Sequence, residues 1–381
     1  MQIKDTKQNW TLNVIARVFV GLVFIFSSFV KGVDPLGTAF KITDYLTAWQ
    51  FGGLSFEWLE PAAPFLSMLL ITLEFLVGVM LLTGSFRRFT AWLLALMMLF
   101  FTCTTLYDAI SNKVNDCGCF GDAIKLTNWQ TFWKNIILDI PTIWIVLTCN
   151  LRRKKRTERD TLVATFAIVL MVIFGLFNIN NEPCIDFRPW KVGNQMVDMD
   201  ENLKVKSYLT YRNKTTGETQ EFLSEDLMKK MEDPAWEESW EWESSRVEDP
   251  HEIKADGFAM LDMEMNDHAQ ELIISDHYLM IATLYDLEKI DERAITSLQR
   301  MNEFCNENDI QLVILSSVLP EKIQDFLHAQ HLDDLEYFFA DATAIKTILR
   351  SNPGYILLKE GKVIGKWHYR KARGVADVTL N

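Results

Sequence analysis

The sequence predicts an all-α membrane bundle followed by a soluble α/β domain. Up to about residue 180, long apolar segments alternate with short polar loops. Beyond that point the chain is acidic, and short strand-like runs alternate with helix-like segments, as in α/β proteins. The 381 residues therefore divide into two unlike parts.

Five apolar segments carry the membrane prediction, at residues 12–30, 62–82, 89–110, 132–148 and 162–177. Each is close to the roughly 20 residues that a helix needs to cross the hydrocarbon core of a bilayer. One such run is compatible with a buried core helix, but five in succession indicate a membrane bundle of four spans plus a fifth. No small-residue cleavage site follows the first segment, so we expect it to be retained rather than removed as a signal peptide.

Basic residues set the expected orientation of these segments. They form three groups: Lys4, Lys7 and Arg17 at the first segment, Arg87 and Arg88 before the third, and LRRKKRTER (151–159) before the fifth. Short loops rich in Lys and Arg stay in the cytoplasm. We therefore expect five spans in a bacterial inner membrane, with a cytoplasmic N-terminus and a periplasmic C-terminal domain.

A polar interval between the third and fourth segments, NDCGCFGDAIKL (115–126), holds two cysteines one residue apart. Cys117 and Cys119 flank Gly118, and glycine accepts the backbone conformations that a tight turn needs. The predicted orientation places this CGC loop in the periplasm, where disulfides persist. Cys184 follows the fifth segment at the same membrane surface.

The other cysteines differ in position. Cys103 lies within the third segment, about two turns from the surface that carries the CGC loop. Cys149, near the cytoplasmic face, and Cys305, in the soluble part, are interpreted as small buried hydrophobic residues.

Several roles remain open for Cys117, Cys119 and Cys184. As a catalytic set they would exchange disulfides with a periplasmic protein client, with Cys184 as the resolving or relaying thiol. A structural bridge from Cys184 to Cys117 or Cys119, or free thiols, are the alternatives. Two or three sulfurs fall short of a four-ligand metal site, so no metal is predicted. The helix bundle could hold a quinone as electron acceptor, but no sequence motif indicates one and the cofactor stays unassigned.

Glu74 lies near the middle of the second segment, where a charge in lipid costs several kcal/mol. It is either a proton-handling or cofactor-facing acid, or a paired group that locks helices together. A transporter would rest on Glu74 and the span count alone, without an evident repeat. Lys31 and Arg17 lie near segment ends, where we expect them to extend towards the membrane surface. Gly78 and Gly84 are expected to permit close helix packing.

We divide the chain into residues 1–150 (membrane bundle), 151–180 (basic loop and fifth helix), 181–250 (acidic junction) and 251–381 (α/β domain). The net charge of −13 argues against nucleic acid as a partner, because phosphate binding needs clustered Lys and Arg. Trp236, Trp240 and Trp242 lie in the junction, and they either cover the side of their own domain or form a docking surface.

The last part follows the order βαβα(β)αββ. Strands are predicted at residues 278–284, 311–316, 338–340, 354–358 and 363–367, and helices at 291–306, 321–328 and 342–350. This order, with Pro353 just before the final hairpin, is that of a thioredoxin-like domain. A redox-active member carries CxxC after its first strand, whereas residues 283–291 here read TLYDLEKID. We therefore predict a degenerate domain that binds a partner and has no dithiol chemistry of its own.

The first part resembles the DoxX/MauE family of bacterial membrane proteins. The residues that carry the resemblance are FVKGVDP (29–35), EFLVGVMLLTG (74–84), FTCTT (101–105) and DCGCFG (116–121). The second part is similar to the periplasmic extension of DoxX-family proteins in Bacteroidetes-type bacteria. The resemblance implies an inner-membrane protein with a part in periplasmic disulfide or electron-transfer chemistry. The alternative function is a non-enzymatic membrane scaffold whose thioredoxin-like domain binds a secreted or envelope partner. The oligomeric state stays unassigned.

Overall fold

The structure is a computed structural model that describes residues 6–48, 50–51, 54–112, 121–124, 126–150, 157–199, 206–231, 234–248, 252–255 and 257–377. It divides into two compact units, Met1–Arg188 and Pro189–Asn381.

The first unit is helical. Its helices are α1 (Lys7–Val33), α2 (Pro35–Ala48), α3 (Ala63–Thr83), α4 (Arg87–Ser111), α5 (Asn128–Thr148) and α6 (Thr157–Asn180). Two short strands, β1 (Gln50–Phe51) and β2 (Leu54–Ser55), and a 3-10 helix (Glu57–Ala62) precede α3. All five predicted apolar segments are helices. Helix α2 lies in residues 31–60, which the sequence predicts as a loop.

Local signals start and end these helices. The hydroxyl of Thr6 accepts a hydrogen bond from the Asn9 backbone N–H at 3.2 Å and caps α1. Thr127 and Gln130 form a reciprocal capping box at the start of α5. Gly84 ends α3 in the left-handed conformation, with φ of 73°, which glycine adopts without steric cost.

The surface of the first unit is that of a membrane protein. Four segments are long and apolar enough to cross a bilayer in the part of the chain that the structure describes: Lys7–Val33, Glu57–Thr83, Arg87–Ser111 and Thr157–Asn180. Large apolar side chains point outward, including Phe65 (69% exposed), Leu162 (71%) and Ile140 on α5 (69%). Such exposure suits a lipid environment and not water. The fourth predicted segment, α5, carries Lys134 and Asp139 and is not among these four, so the count of five spans stays a prediction.

Hydrogen bonds and ring contacts mark one end of the bundle. There the Arg87 guanidinium lies 4.5 Å from the Trp10 ring, and Asn13 donates to the Thr148 hydroxyl at 2.6 Å. The Phe86 backbone N–H donates to Asp160 at 3.2 Å. The starts of α1, α4 and α6 and the ends of α3 and α5 thus share one end of the bundle.

The remaining helix termini lie at the opposite end of the bundle. The side-chain amide of Asn178 on α6 donates to the Gly32 carbonyl on α1 at 3.0 Å, and Asn128 on α5 donates to the Asp108 carbonyl on α4 at 3.4 Å. The connection from α4 to α5, which contains the CGC loop, therefore leaves the bundle at the same end as the residues after α6.

Gly78 lets α1 and α3 approach closely, as predicted. A Cβ placed there would lie 2.7 Å from Ile25 Cγ1 and 3.0 Å from the Gly21 carbonyl oxygen. Because that carbonyl belongs to a helix backbone, a side chain at Gly78 forces the two helices apart. We expect Gly78→Val to destabilise the bundle by about 1–3 kcal/mol, measured as thermal unfolding of the purified protein in detergent. The matched control is Leu69→Val on the outward face of α3, where Leu69 is 44% exposed and little change is expected.

The second unit contains a five-stranded sheet in the order β10-β9-β6-β7-β8. Its strands are β6 (Leu279–Leu284), β7 (Gln311–Ser316), β8 (Glu336–Phe339), β9 (Gly354–Lys359) and β10 (Lys362–His368). The sheet is accompanied by α9 (Ala269–Ile273), α10 (Glu292–Glu307), α11 (Pro320–Ala329) and α12 (Ala342–Ile348), with 3-10 turns at Leu287–Lys289 and Tyr369–Asp377. β6, β7 and β8 run parallel, and β9 is antiparallel to β6 and to β10. The predicted order of strands and helices is confirmed.

Both faces of this sheet are buried, which explains why its strands are continuous apolar runs. Ile281 contributes to the core on one face and Met280 to the core on the other. The Asn352–Pro353 peptide bond before β9 is cis.

A second, three-stranded sheet lies within residues 206–248, in the stretch that the sequence analysis described as a junction. It consists of β3 (Lys206–Asn213), β4 (Thr219–Leu223) and β5 (Trp240–Glu248) in the order β4-β3-β5, with α7 (Ser224–Met231) and α8 (Pro234–Ser239). The rings of Trp236 and Trp240 stack at 6.0 Å and both contact Phe222. These two tryptophans therefore cover their own sheet, whereas Trp242 is 58% exposed.

Candidate functional site

The described residues that follow the two cysteines of the CGC loop lie at the last turn of α1, which is formed by Val30 to Val33. Cys117 and Cys119 lie outside the described residues, but Gly121 and Asp122 follow them directly. Gly121 has φ of 51°, and a Cβ there would lie 3.2 Å from Val30 Cγ1. Asp122 lines a small cavity together with Val30 and Val33.

The segment around Cys184 reaches the same place. Pro183 and Ile185, its two neighbours, line the cavity that Asp122 and Val30 line. The Cys184 backbone N–H donates to Asn178 Oδ1 at 3.2 Å, and the amide nitrogen of Asn178 donates to the Gly32 carbonyl at 3.0 Å. One α6 side chain thus ties Cys184 to the last turn of α1. Cys184 itself is exposed and has no disulfide to another described cysteine.

Arg188 holds the far end of this segment. Its guanidinium is 3% exposed and donates to Asp186 from Nε at 2.8 Å and to Glu182 from Nη2 at 3.4 Å. Burial alone lowers the pKa of Arg188, but the carboxylates of Asp186, Asp34 and Glu182 outweigh burial and raise it above its ordinary value. Arg188 therefore stays charged and folds residues 182–188 into a fixed turn. This role of Arg188 was not predicted, although the spacing ExxxDxR in EPCIDFR (182–188) is a sequence signal for it.

The other cysteines lie elsewhere. Cys103 is exposed on α4, facing outward from the bundle. Cys149, at the end of α5, is buried as predicted. Cys305 on α10 is also buried as predicted, and burial raises the pKa of its thiol to about 12, so it holds very little thiolate near neutral pH.

A cavity of about 320 Å³ lies inside the helical unit. Its wall is mainly hydrocarbon and aromatic, with Phe24, Leu70, Met98 and Phe101 among the lining residues. Lys31, Ser27 and Glu74 place charged and polar groups in this wall. The volume and the mostly apolar lining are those of a small-molecule site.

Glu74 and Lys31 form a buried ion pair in the wall of the cavity. Lys31 Nζ lies 2.6 Å from Glu74 Oε1, and the Ser27 hydroxyl donates to Glu74 Oε2 at 3.2 Å. The expectation that Lys31 extends to the membrane surface is wrong, because it turns into the bundle towards its counter-ion. Arg17 is likewise buried, and its Nε donates to the Leu81 carbonyl at 2.9 Å.

Helix α2 supplies residues of the cavity wall that were not predicted from the sequence. Thr38, Lys41 and Tyr45 line the cavity, and the Tyr45 hydroxyl donates to Asp108 at 2.6 Å. The buried Ala39 and Leu46 are seven residues apart, which is a helical spacing. That signal was present in the sequence.

The residues that follow β6 in the α/β domain (285–291) include no cysteine. Tyr285 and Asp286 follow β6 there. The Tyr285 backbone N–H donates to Asn352 Oδ1 at 3.0 Å, and its hydroxyl donates to the Arg350 carbonyl at 2.6 Å. These two hydrogen bonds fix Tyr285 against the segment that precedes β9.

Comparison with known proteins identifies the helical unit. Residues 9–148 match the family described as methylamine utilisation protein MauE. The N-terminal part of this chain is a MauE-type membrane domain. The predicted resemblance is thereby confirmed, with a C-terminal extension following the MauE-type domain.

The chain is also 25% identical over 199 residues to Protein TlpB of Flavobacterium psychrophilum. The aligned region covers 50% of this chain and 47% of that protein, so the chain spans about half the length of this relative. No solved structure matches the chain. The MauE-type domain contains the cavity, the Lys31–Glu74 pair and the CGC loop, whereas Cys184 lies in the extension.

Proposed function

We propose that this protein is a thiol–disulfide oxidoreductase of the bacterial inner membrane, with Cys117, Cys119 and Cys184 as its reactive sulfurs. The observation that carries the proposal is the meeting of two chain segments at the last turn of α1. Gly121 and Asp122 approach Val30 from the CGC loop, and Pro183 and Ile185 approach it from the segment around Cys184.

Covalent geometry alone keeps the sulfurs close to this point. Cys119 is two residues before Gly121, so its Cα lies within about 7 Å of the Gly121 Cα. Cys184 is bonded directly to two cavity-lining residues. A Cys184 thiolate within reach of a Cys117–Cys119 disulfide attacks one sulfur, forming a new S–S bond while the displaced sulfur leaves as thiolate. A client dithiol attacks the same disulfide in the same way, and leaves oxidised while Cys117 and Cys119 become thiols.

The proposed orientation places this chemistry in the periplasm. Arg87 and the start of α6, just after the basic residues 152–156, lie at the opposite end of the bundle from Asn178 and Cys184. Loops rich in Lys and Arg face the cytoplasm. The Cys184 end then faces the oxidising compartment, in which disulfides form and persist.

A second candidate function is a scaffold without redox activity. It is favoured by the residues after β6, where Tyr285 is hydrogen-bonded to Asn352 and no cysteine is present for dithiol exchange. In that case a bond from Cys184 to the CGC loop is a permanent staple between the helical bundle and the chain that follows it.

One experiment separates these functions and checks the orientation. Spheroplasts are treated with a membrane-impermeant maleimide at several ratios of reduced to oxidised glutathione. The full-length protein is then purified without reductant, and peptide mass spectrometry locates the bonded and labelled cysteines. We expect a Cys117–Cys119 bond and a Cys184-containing bond whose proportions change with the glutathione ratio, and labelling of Cys184 before lysis under reducing conditions.

Cys149, buried near the end of the bundle that carries Arg87, is the internal control and should be labelled only after lysis in a denaturant. A quantitative Cys184 bond that does not respond to glutathione would identify the staple and reject the exchange function. Labelling of Cys184 only after lysis would reject the periplasmic orientation.

A further inference from the structure

The wall of the cavity in the helical unit contains a buried ion pair that helix packing alone does not explain. The free-energy cost of removing two charges from water can exceed the attraction gained when they pair in the protein interior. Replacing such a pair by apolar residues of similar size therefore often leaves the stability of the protein unchanged or raises it. Lys31 and Glu74 are nevertheless both buried and lie in the wall of a space of about 320 Å³. A buried charged pair in the wall of an apolar cavity in a membrane bundle indicates a ligand site.

The chemistry of the wall narrows the class of ligand. Phe24 and Phe101 provide aromatic faces, and the Lys31 ammonium lies 5.5 Å from the centre of the Phe101 ring. A lipid acyl chain would fill the volume but leave the charged pair facing hydrocarbon. A water-soluble metabolite would lose its hydration against an apolar wall. A flat ring with carbonyl oxygens and an apolar tail satisfies both parts of the wall.

We propose that this cavity binds the ring of a membrane quinone, with Lys31 beside a carbonyl oxygen and Glu74 as the neighbouring proton carrier. The proposal rests on the proposed function, because it names the electron acceptor for the thiols. Two thiols form one S–S bond and release two protons and two electrons. The quinone takes up two electrons and two protons, and its two carbonyl groups become the hydroxyl groups of a quinol.

The geometry of α1 connects the two sites. Val30 contacts the end of the CGC loop, and the next residue, Lys31, belongs to the ion pair in the cavity wall. Consecutive Cα atoms are about 3.8 Å apart, and side chains one residue apart on a helix point about 100° away from each other. The last turn of α1 therefore has the sulfur-bearing segments on one side and the cavity on another.

The test is photoaffinity labelling of the full-length protein in lipid nanodiscs with an azidoquinone that carries a short isoprenoid tail. We expect labelled peptides from α1, α3 and α4, and loss of the label when decylubiquinone or a short-tailed menaquinone competes. Leu70→Trp fills the cavity and should reduce labelling about tenfold or more. Its matched control is Leu69→Trp, the neighbouring outward residue of the same helix, which should retain labelling.

Two further variants make the result decisive. Lys31→Met combined with Glu74→Gln removes both charges without leaving one unpaired, and it should weaken labelling while the protein still folds. Cys117→Ser combined with Cys119→Ser should label as the unmodified protein does, so quinone binding is tested independently of the thiol chemistry. Equal labelling of Leu70→Trp and Leu69→Trp, or labelling confined to outward-facing residues, would overturn the proposal.

Discussion

Replacing Cys117 or Cys119 by serine is expected to reduce the oxidation of a dithiol client by about a hundredfold or more, because a disulfide needs both of its sulfurs. The assay uses full-length protein in nanodiscs, preoxidised with glutathione disulfide, and a reduced dithiol peptide. Disulfide formation in the peptide is followed by mass spectrometry over a single turnover, in which the CGC disulfide is itself the oxidant. No added electron acceptor is then needed.

Cys184→Ser should behave differently from the two CGC variants. If Cys184 relays or resolves the bond, its loss slows a step after the first attack, and a mixed disulfide between the peptide and the CGC loop accumulates. Cys103→Ser is the matched control, because Cys103 is exposed on α4 and faces outward from the bundle. Full activity in both CGC variants would reject the catalytic assignment.

Glu74→Leu is expected to destabilise the helical unit by about 3–5 kcal/mol, because it leaves the buried Lys31 ammonium without its counter-ion. The 2.6 Å contact between Lys31 Nζ and Glu74 Oε1 is the interaction that is lost. The measurement is the thermal midpoint of the detergent-solubilised protein, or its resistance to unfolding in mixed micelles. A change no larger than that of an outward-facing substitution such as Leu69→Val would contradict the buried ion pair.

The double variant Lys31→Met with Glu74→Leu separates charge from packing. With both charges removed, no unpaired ion remains in the bundle, and stability should return to near that of the unmodified protein or exceed it. If the double variant is as unstable as Glu74→Leu, then the pair contributes through the shape of its side chains rather than through its charge. The coupling between the two changes measures their interaction directly.

Much of this fold is encoded in local pattern. The segments at residues 62–82 and 89–110 coincide with α3 and α4 to within two residues, because a helix that faces lipid is apolar along nearly its whole length. The parallel strand at residues 311–316 matches β7 residue for residue, because burial on both faces makes it a continuous apolar run.

Other elements had weaker signals. Helix α2 mixes polar and apolar residues because one side lines the cavity, so it was not recognised from hydropathy. The sheet of β3, β4 and β5 is rich in charged, exposed side chains. Its last strand, β5, pairs with β3 and not with β4, the strand that precedes it in the chain. The ion pairs of Arg188 with Asp186 and Glu182 join residues only two and six positions apart, yet they were not predicted.

The sequence by itself determined the two-part architecture, the membrane character of the first part, the succession of strands and helices along the second and the absence of CxxC from it. These follow from hydropathy, periodicity and residue type, which are properties of short stretches. Only the tertiary structure decided that Lys31 pairs with Glu74, that a cavity lies beside them, and that Pro183 and Ile185, the neighbours of Cys184, line one small cavity with Asp122 and Val30. Those contacts join residues far apart in the chain, and they depend on how closely α1 packs against α3 and α6, which no local pattern specifies.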